Sequence, residues 1–87
     1  MAASFTLGTL NANGIRDYKT RLSMFSWIKS IKNNVTFLQE TFCETPDERN
    51  DWAGEWGGPD DSLWSLGTNR SRGVAILFNF DNRNQKG

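Results

Sequence analysis

The chain has 87 residues, 10 basic and 10 acidic side chains, a formal net charge of zero, one cysteine and no histidine. Within the chain those counts exclude an internal disulfide, a multi-cysteine metal knuckle, a histidine general base and a histidine-ligated zinc site. The even charge balance gives no overall attraction to nucleic acid, and the length allows one small domain that buries about 60–65% of its unfolded surface.

Phe5 to Leu10 is β-prone, with Phe5, Leu7 and Thr9 on one face and Thr6, Gly8 and Leu10 on the other. It runs into Asn11-Ala12-Asn13-Gly14, where Asn-Gly tolerates positive φ, so the strand ends near Asn11. The spacing predicts a helix over Asp17 to Lys32. Its apolar stripe is Tyr18, Leu22, Phe25, Ile28 and Ile31, widened by Met24 and Trp27, with Arg21, Ser23, Lys29 and Ser30 on the other faces. Asp17 suits the N-cap or first turn, and Lys29 and Lys32 suit the C-terminal dipole.

Val35 to Gln39 is a second short strand, with Glu40 at its end. Thr41 to Asp51 begins as a loop and offers a short helix from Thr45, a good N-cap before Pro46. Trp52 to Pro59 reads as a turn-rich aromatic segment. Ser62 to Leu66 and Gly73 to Phe80 are two strands joined by a hairpin turn over Gly67 to Arg72. The run Gly73 to Phe78 has the composition of a central strand buried on both faces. If the chain stands alone, that strand is expected at an open edge that invites aggregation.

Aromatic residues make up 13% of the chain, including four Trp, which is more than a disordered tail carries. The Trp residues are expected in packing and loop anchoring rather than as base-stacking platforms. Met1 to Leu10 lacks the basic start and apolar core of a signal peptide. The longest apolar run, Val74 to Phe78, is far too short to span a membrane. The expected setting is intracellular, nuclear or cytoplasmic, without membrane association and with Cys43 a free thiol. Asn34-Val35-Thr36 and Asn69-Arg70-Ser71 fit the glycosylation pattern and read as chance matches.

The order strand, helix, strand, hairpin places an α/β fold with its first two strands parallel. Both strand C-termini then lie on one sheet edge, where open α/β sheets bind ligands. Asn11 and Glu40 end those strands, so an amide and a carboxylate are expected to share one site. Glu40 supplies the anionic oxygen that magnesium prefers, and Asn11 can donate to a phosphate oxygen. Simple alternation turns Gln39 to the opposite face from Glu40 and away from that site. Taken alone, an Asn before a turn and a Glu after a strand are also ordinary turn chemistry and a solvated strand end.

Thr9-Leu10-Asn11-Ala12-Asn13-Gly14-Ile15, Arg21-Leu22, Trp27-Ile28 and Phe37-Leu38-Gln39-Glu40-Thr41 resemble the start of the endonuclease/exonuclease/phosphatase superfamily, the DNase-I-like fold. Trp56-Gly57-Gly58 and Ser71 to Phe78 are similar to a narrower group, the apurinic-type endonuclease domains at the front of LINE-type (non-LTR) retrotransposon polyproteins. The resemblance runs from about Phe5 to Phe78. It implies the N-terminal part of a four-layer α/β sandwich, with residues 1–87 an incomplete portion of a domain of roughly 220–250 residues. It implies Mg2+-dependent phosphodiester hydrolysis, with Glu40 a metal ligand and Asn11 positioning the phosphate or the attacking water. In the LINE group the partner is DNA, and the nick primes a reverse transcriptase of the same polyprotein.

The chain departs from that pattern in several places. The family also uses a Tyr, an Asp-x-Asn pair and a C-terminal Asp-His pair, all at positions beyond the length present here. Asp60, Asp61, Asp81 and Asn82 do not stand in for them, so the isolated chain is expected to be inactive. Phe42 and Leu66 occupy positions where relatives often carry His. The alternatives are another member of the superfamily, such as an apurinic repair endonuclease or other phosphodiesterase, or a non-enzymatic interaction module.

Overall fold

The computed structural model describes residues 6–31, 33–58, 60–68 and 72–79. It is an α/β domain with six elements: β1 (Leu7–Asn11), α1 (Tyr18–Ile31), β2 (Val35–Gln39), α2 (Pro46–Trp56), β3 (Ser62–Ser65) and β4 (Val74–Phe78). They form one four-stranded mixed sheet in the order β1-β2-β4-β3. β1 and β2 are parallel with α1 between them, and β4 is antiparallel to both β2 and β3. The expected β-α-β unit and hairpin are both present, although residues 69–71 of the hairpin connection, Phe5 and the tail from Phe80 lie outside the described residues.

Both helices begin at the caps that their sequences offer. Asp17 Oδ2 accepts the Thr20 N–H at 2.9 Å and the Thr20 hydroxyl at 3.0 Å. In α2, Thr45 Oγ1 accepts the Glu48 N–H while the Glu48 carboxylate accepts the Thr45 N–H, a reciprocal capping box. The helix then continues to Trp56, so the turn-rich reading of Trp52 to Pro59 is corrected over its first half. A Gly at position 54 lowers helix propensity by only about 1 kcal/mol. Burial of Trp52, Ala53 and Trp56 along one side of α2 outweighs it.

Both helices pack on one face of the sheet. There Leu38, Ala75 and Leu77 meet Phe25 and Ile28 of α1 and Trp52 and Trp56 of α2. Phe25 and Trp56 stack edge to face with centroids 5.4 Å apart, and the Trp56 indole N–H reaches the Phe78 carbonyl at 3.1 Å. Trp52, Trp56 and Trp64 are packing residues as expected, whereas Trp27 is exposed.

The buried stripe of α1 differs from its hydrophobic pattern. It is Arg21, Phe25 and Ile28, with Tyr18, Trp27 and Ile31 exposed. Arg21, expected on a polar face, is drawn inward because every part of it finds a partner. Its guanidinium binds both oxygens of Glu55 on α2, donates to the Ile15 and Arg16 carbonyls, and lies 4.9 Å from the Trp52 ring centroid. One side chain thus ties α1, α2 and the loop after β1 together.

β4 is an interior strand and not an open edge; the edges are β1 and β3. Its two faces are nevertheless unequal. Ala75 and Leu77 are buried beneath the helices, while Val74 is 44% exposed on the other side. That second face also carries Leu7, Phe37 and Leu63, all exposed.

Candidate functional site

Asn11 and Glu40 stand at the carboxyl ends of β1 and β2, as the parallel pairing requires. The path between them is not a simple strand end. Within the β2/β4 ladder the last pair is Gln39 with Val74. One step further, the Thr41 N–H donates to the Gly73 carbonyl at 3.1 Å, and the Phe42 N–H donates to the Arg72 carbonyl at 2.7 Å. Gly73 directly precedes Val74, but Thr41 lies two positions past Gln39. Glu40 is therefore an extra residue on β2, the bulged position of an antiparallel pair.

The bulge places Glu40 at φ 57°, in the left-handed region that favours glycine. Asn13, Gly14, Phe42 and Gly73 also have positive φ at this edge. Non-glycine residues in this region cost of order 1–3 kcal/mol each and persist where the surroundings over-determine them. Here the surroundings do so from both sides. The Gly14 N–H holds the Glu40 carbonyl at 2.7 Å, and the flanking Gln39 and Thr41 carbonyls accept from Ala12 and Ile15. A Cβ at Gly73 would lie 2.8 Å from Thr41 Oγ1, so glycine there lets the two strands close around the bulge.

The Glu40 side chain is 33% exposed, and its carboxylate Oε1 lies 3.6 Å from Arg72 Nη1. Arg72 in turn stands over the Phe42 ring, 5.9 Å from its centroid. Asn11 is exposed, and its Oδ1 accepts the Asn13 N–H at 2.9 Å, closing an Asx turn. Its side-chain amide nitrogen has no hydrogen-bond partner among the described residues.

The register brings Asn11 level with Gln39 rather than with Glu40. Directly opposed residues share a face, so Gln39 joins Asn11 on the exposed side of the sheet, and the expectation that Gln39 turns away from the site is corrected. Alternation alone could not show this, because the left-handed Glu40 breaks the period of two.

Among the described residues, no three His, Cys, Asp or Glu side chains gather as a ligand set. Glu40 is a single hard oxygen donor. That suits magnesium only where water and substrate phosphate complete the shell, which is the way magnesium is commonly held. Asp61 is buried at the start of the hairpin, where its N–H meets the Gly58 carbonyl and its own carbonyl accepts the Phe78 N–H. Asp81 and Asn82 lie outside the described residues.

Cys43, three residues from Glu40, is fully buried and unpaired in any disulfide. Burial, reinforced by the negative charge of Glu48, pushes its thiol up to about 11, so it is not a nucleophile at neutral pH. Asn34, the acceptor of one glycosylation pattern, uses its Oδ1 to accept the Thr6 N–H at 2.9 Å.

No family model matches the chain, and no curated protein is significantly similar to it. Among the described residues, no helix is long and apolar enough to cross a membrane. Two features of the site escape sequence reasoning, the bulge and Arg72. Gly73 ahead of an apolar strand is a bulge signal, but it does not say which residue of the partner strand becomes the extra one.

Proposed function

We propose that the chain is the N-terminal portion of a Mg2+-dependent phosphodiesterase of the DNase-I-like class. Within that class the proposal is a DNA-nicking endonuclease domain of a LINE-type retrotransposon polyprotein that also carries a reverse transcriptase. The observation that carries the reading is the conformation of Glu40. A carboxylate held at a left-handed bulge, on the ligand-binding edge of a parallel strand pair, is strain with a use.

In this reading Glu40 is the protein's carboxylate ligand to the cation, and the Asn11 amide donates to a phosphate oxygen beside it. A bound magnesium ion supplies stabilisation of the charge that develops on the scissile phosphate and the leaving oxygen. The residues present fit part of that task and no more, since one carboxylate and one amide make an incomplete hydrolase. The apolar sheet face opposite the helices supports the same conclusion. Leu7, Phe37, Leu63 and Val74 stay exposed there, and the inner face of a sandwich has that composition.

The test is nicking of supercoiled plasmid in magnesium. The 87-residue chain is expected to leave the plasmid intact. The same chain expressed with the coding sequence that follows it is expected to nick, and Glu40→Gln to abolish nicking. Cleavage that survives Glu40→Gln overturns the assignment.

A further inference from the structure

The geometry points to Arg72 as a two-position residue of the site: a stand-in cation for Glu40 at rest, and a phosphodiester-binding arm once a divalent cation takes the carboxylate. The inference rests on the reading of Glu40 as a cation ligand and adds a residue that the reading does not use.

Three observations carry it. The Arg72 backbone is fixed at this edge, because its carbonyl accepts the Phe42 N–H at 2.7 Å and the adjoining Gly73 carbonyl accepts from Thr41. The side chain is not fixed in the same way. It is 67% exposed, and its contact with Glu40 at 3.6 Å is longer than a good charge-assisted hydrogen bond. The Phe42 ring, 5.9 Å away, gives the guanidinium a flat support beside the carboxylate.

A guanidinium presents five donors in a planar fork that matches phosphate geometry. At rest Arg72 offers Glu40 one long contact and leaves the remaining donors to water. With a divalent cation held by Glu40, the guanidinium would lose its carboxylate partner, and its donors would be free for the remaining non-bridging oxygen of a phosphodiester held at that cation. Arg72 and the cation therefore compete for Glu40 but cooperate for phosphate.

The test uses the full 87-residue chain, Mn2+ as the cation and a short single-stranded oligodeoxynucleotide as the phosphodiester. Paramagnetic broadening of backbone amide signals locates Mn2+, and titrations give both affinities. Broadening is expected to centre on Glu40 and Thr41 and to vanish in Glu40→Gln. Arg72→Gln is expected to bind Mn2+ about two- to five-fold more tightly, the range set by loss of an exposed ion pair. It is also expected to bind the oligonucleotide several-fold more weakly. Mn2+ is expected to tighten oligonucleotide binding by the wild type, with most of that coupling lost in Arg72→Gln and in Arg72→Lys, which keeps the charge but not the fork. Unchanged coupling or unchanged Mn2+ affinity in Arg72→Gln, with Mn2+ still on Glu40, overturns the role of Arg72 alone. Mn2+ absent from Glu40 in both proteins overturns the functional reading, and this inference with it.

Discussion

Thr41 and Gly73 share a backbone hydrogen bond of 3.1 Å, although the ladder ending beside them pairs Gln39 with Val74. The residue left over is Glu40. The left-handed backbone follows from that one-residue offset, and the half-buried Glu40 side chain meets Arg72 there.

Glutamate at position 40 should therefore be less stable than glycine. Glu40→Gly removes a left-handed penalty of about 1–2 kcal/mol and restores some unfolded-state entropy. The expected outcome is a net gain of about 0.5–1 kcal/mol. Gly73→Ala acts the other way, because its φ is +83° and the new methyl meets Thr41 Oγ1. It is expected to lose about 1–3 kcal/mol. Urea unfolding followed by circular dichroism measures both, and destabilisation by Glu40→Gly would contradict the bulge.

Arg21 is the second sensitive point. Its side chain is 7% exposed, and that of its partner Glu55 is 24% exposed. Arg21→Ala leaves that carboxylate and two carbonyls without their donor, and is expected to lose about 3 kcal/mol. A small domain has about 5 kcal/mol in total, so the variant should keep only about 2 kcal/mol and unfold at a clearly lower urea midpoint. The Arg21→Met, Glu55→Met double variant is expected to recover part of the loss, because no charge is then left buried.

Both helix starts are acid-sensitive in the same direction. The Thr20 N–H and hydroxyl hold Asp17 below the usual carboxylate range. The Glu44 N–H, with Arg16 and Thr45, does the same for Glu48. Groups with lowered folded-state values contribute stability above their unfolded values, about 4, and lose it as pH falls through the lowered ones. Melting temperature is expected to hold from pH 7 to 5 and to drop below 4. Asp17→Asn and Glu48→Gln should flatten that acid limb. Thr45→Ala removes the cap itself and is expected to lose about 1 kcal/mol at neutral pH.

Cys43 should report unfolding rather than surface chemistry. Its thiol is buried and little ionised at neutral pH. Reaction with a disulfide reagent at pH 8 is expected to be slow in native conditions and complete within minutes in denaturant. Fast native labelling would show that the loop between Thr41 and Thr45 opens without global unfolding.

The open sheet face should govern solution behaviour. Leu7 and Leu63 are 59% and 60% exposed on its two edge strands, with Phe37 and Val74 between them. An apolar patch of this kind drives self-association. Leu63→Lys with Phe37→Lys is expected to shift sedimentation toward monomer, with little loss of stability because neither side chain is buried. A single lysine on the helix-covered face, Leu38→Lys or Leu77→Lys, should prevent folding, because both side chains are fully buried.

The strands, both helix starts and the parallel pairing of β1 with β2 were legible in the residues, because each rests on local rules: turn-forming Asn-Gly, caps at Asp17 and Thr45, and short β-prone runs. So was the placement of Asn11 and Glu40 at one edge, which a β-α-β connection imposes. The full length of α2, the burial of Arg21 and the exposure of one face of β4 were not; the composition of Gly73 to Phe78 did point to a central strand, and β4 is interior. The first two depend on partners distant in sequence: Trp64 beside Trp52 and Glu55 against Arg21. The bulge is the clearest case. Glutamate has no preference for the left-handed region, so nothing in Val35 to Glu40 announces it. It arises where the β2/β4 pairing shifts by one residue, from Gln39 with Val74 to Thr41 with Gly73, while Gly14 holds the Glu40 carbonyl from the other side. Which residue types the site contains was written locally; how Glu40 is aimed, and that Arg72 meets it, only the packed sheet decides.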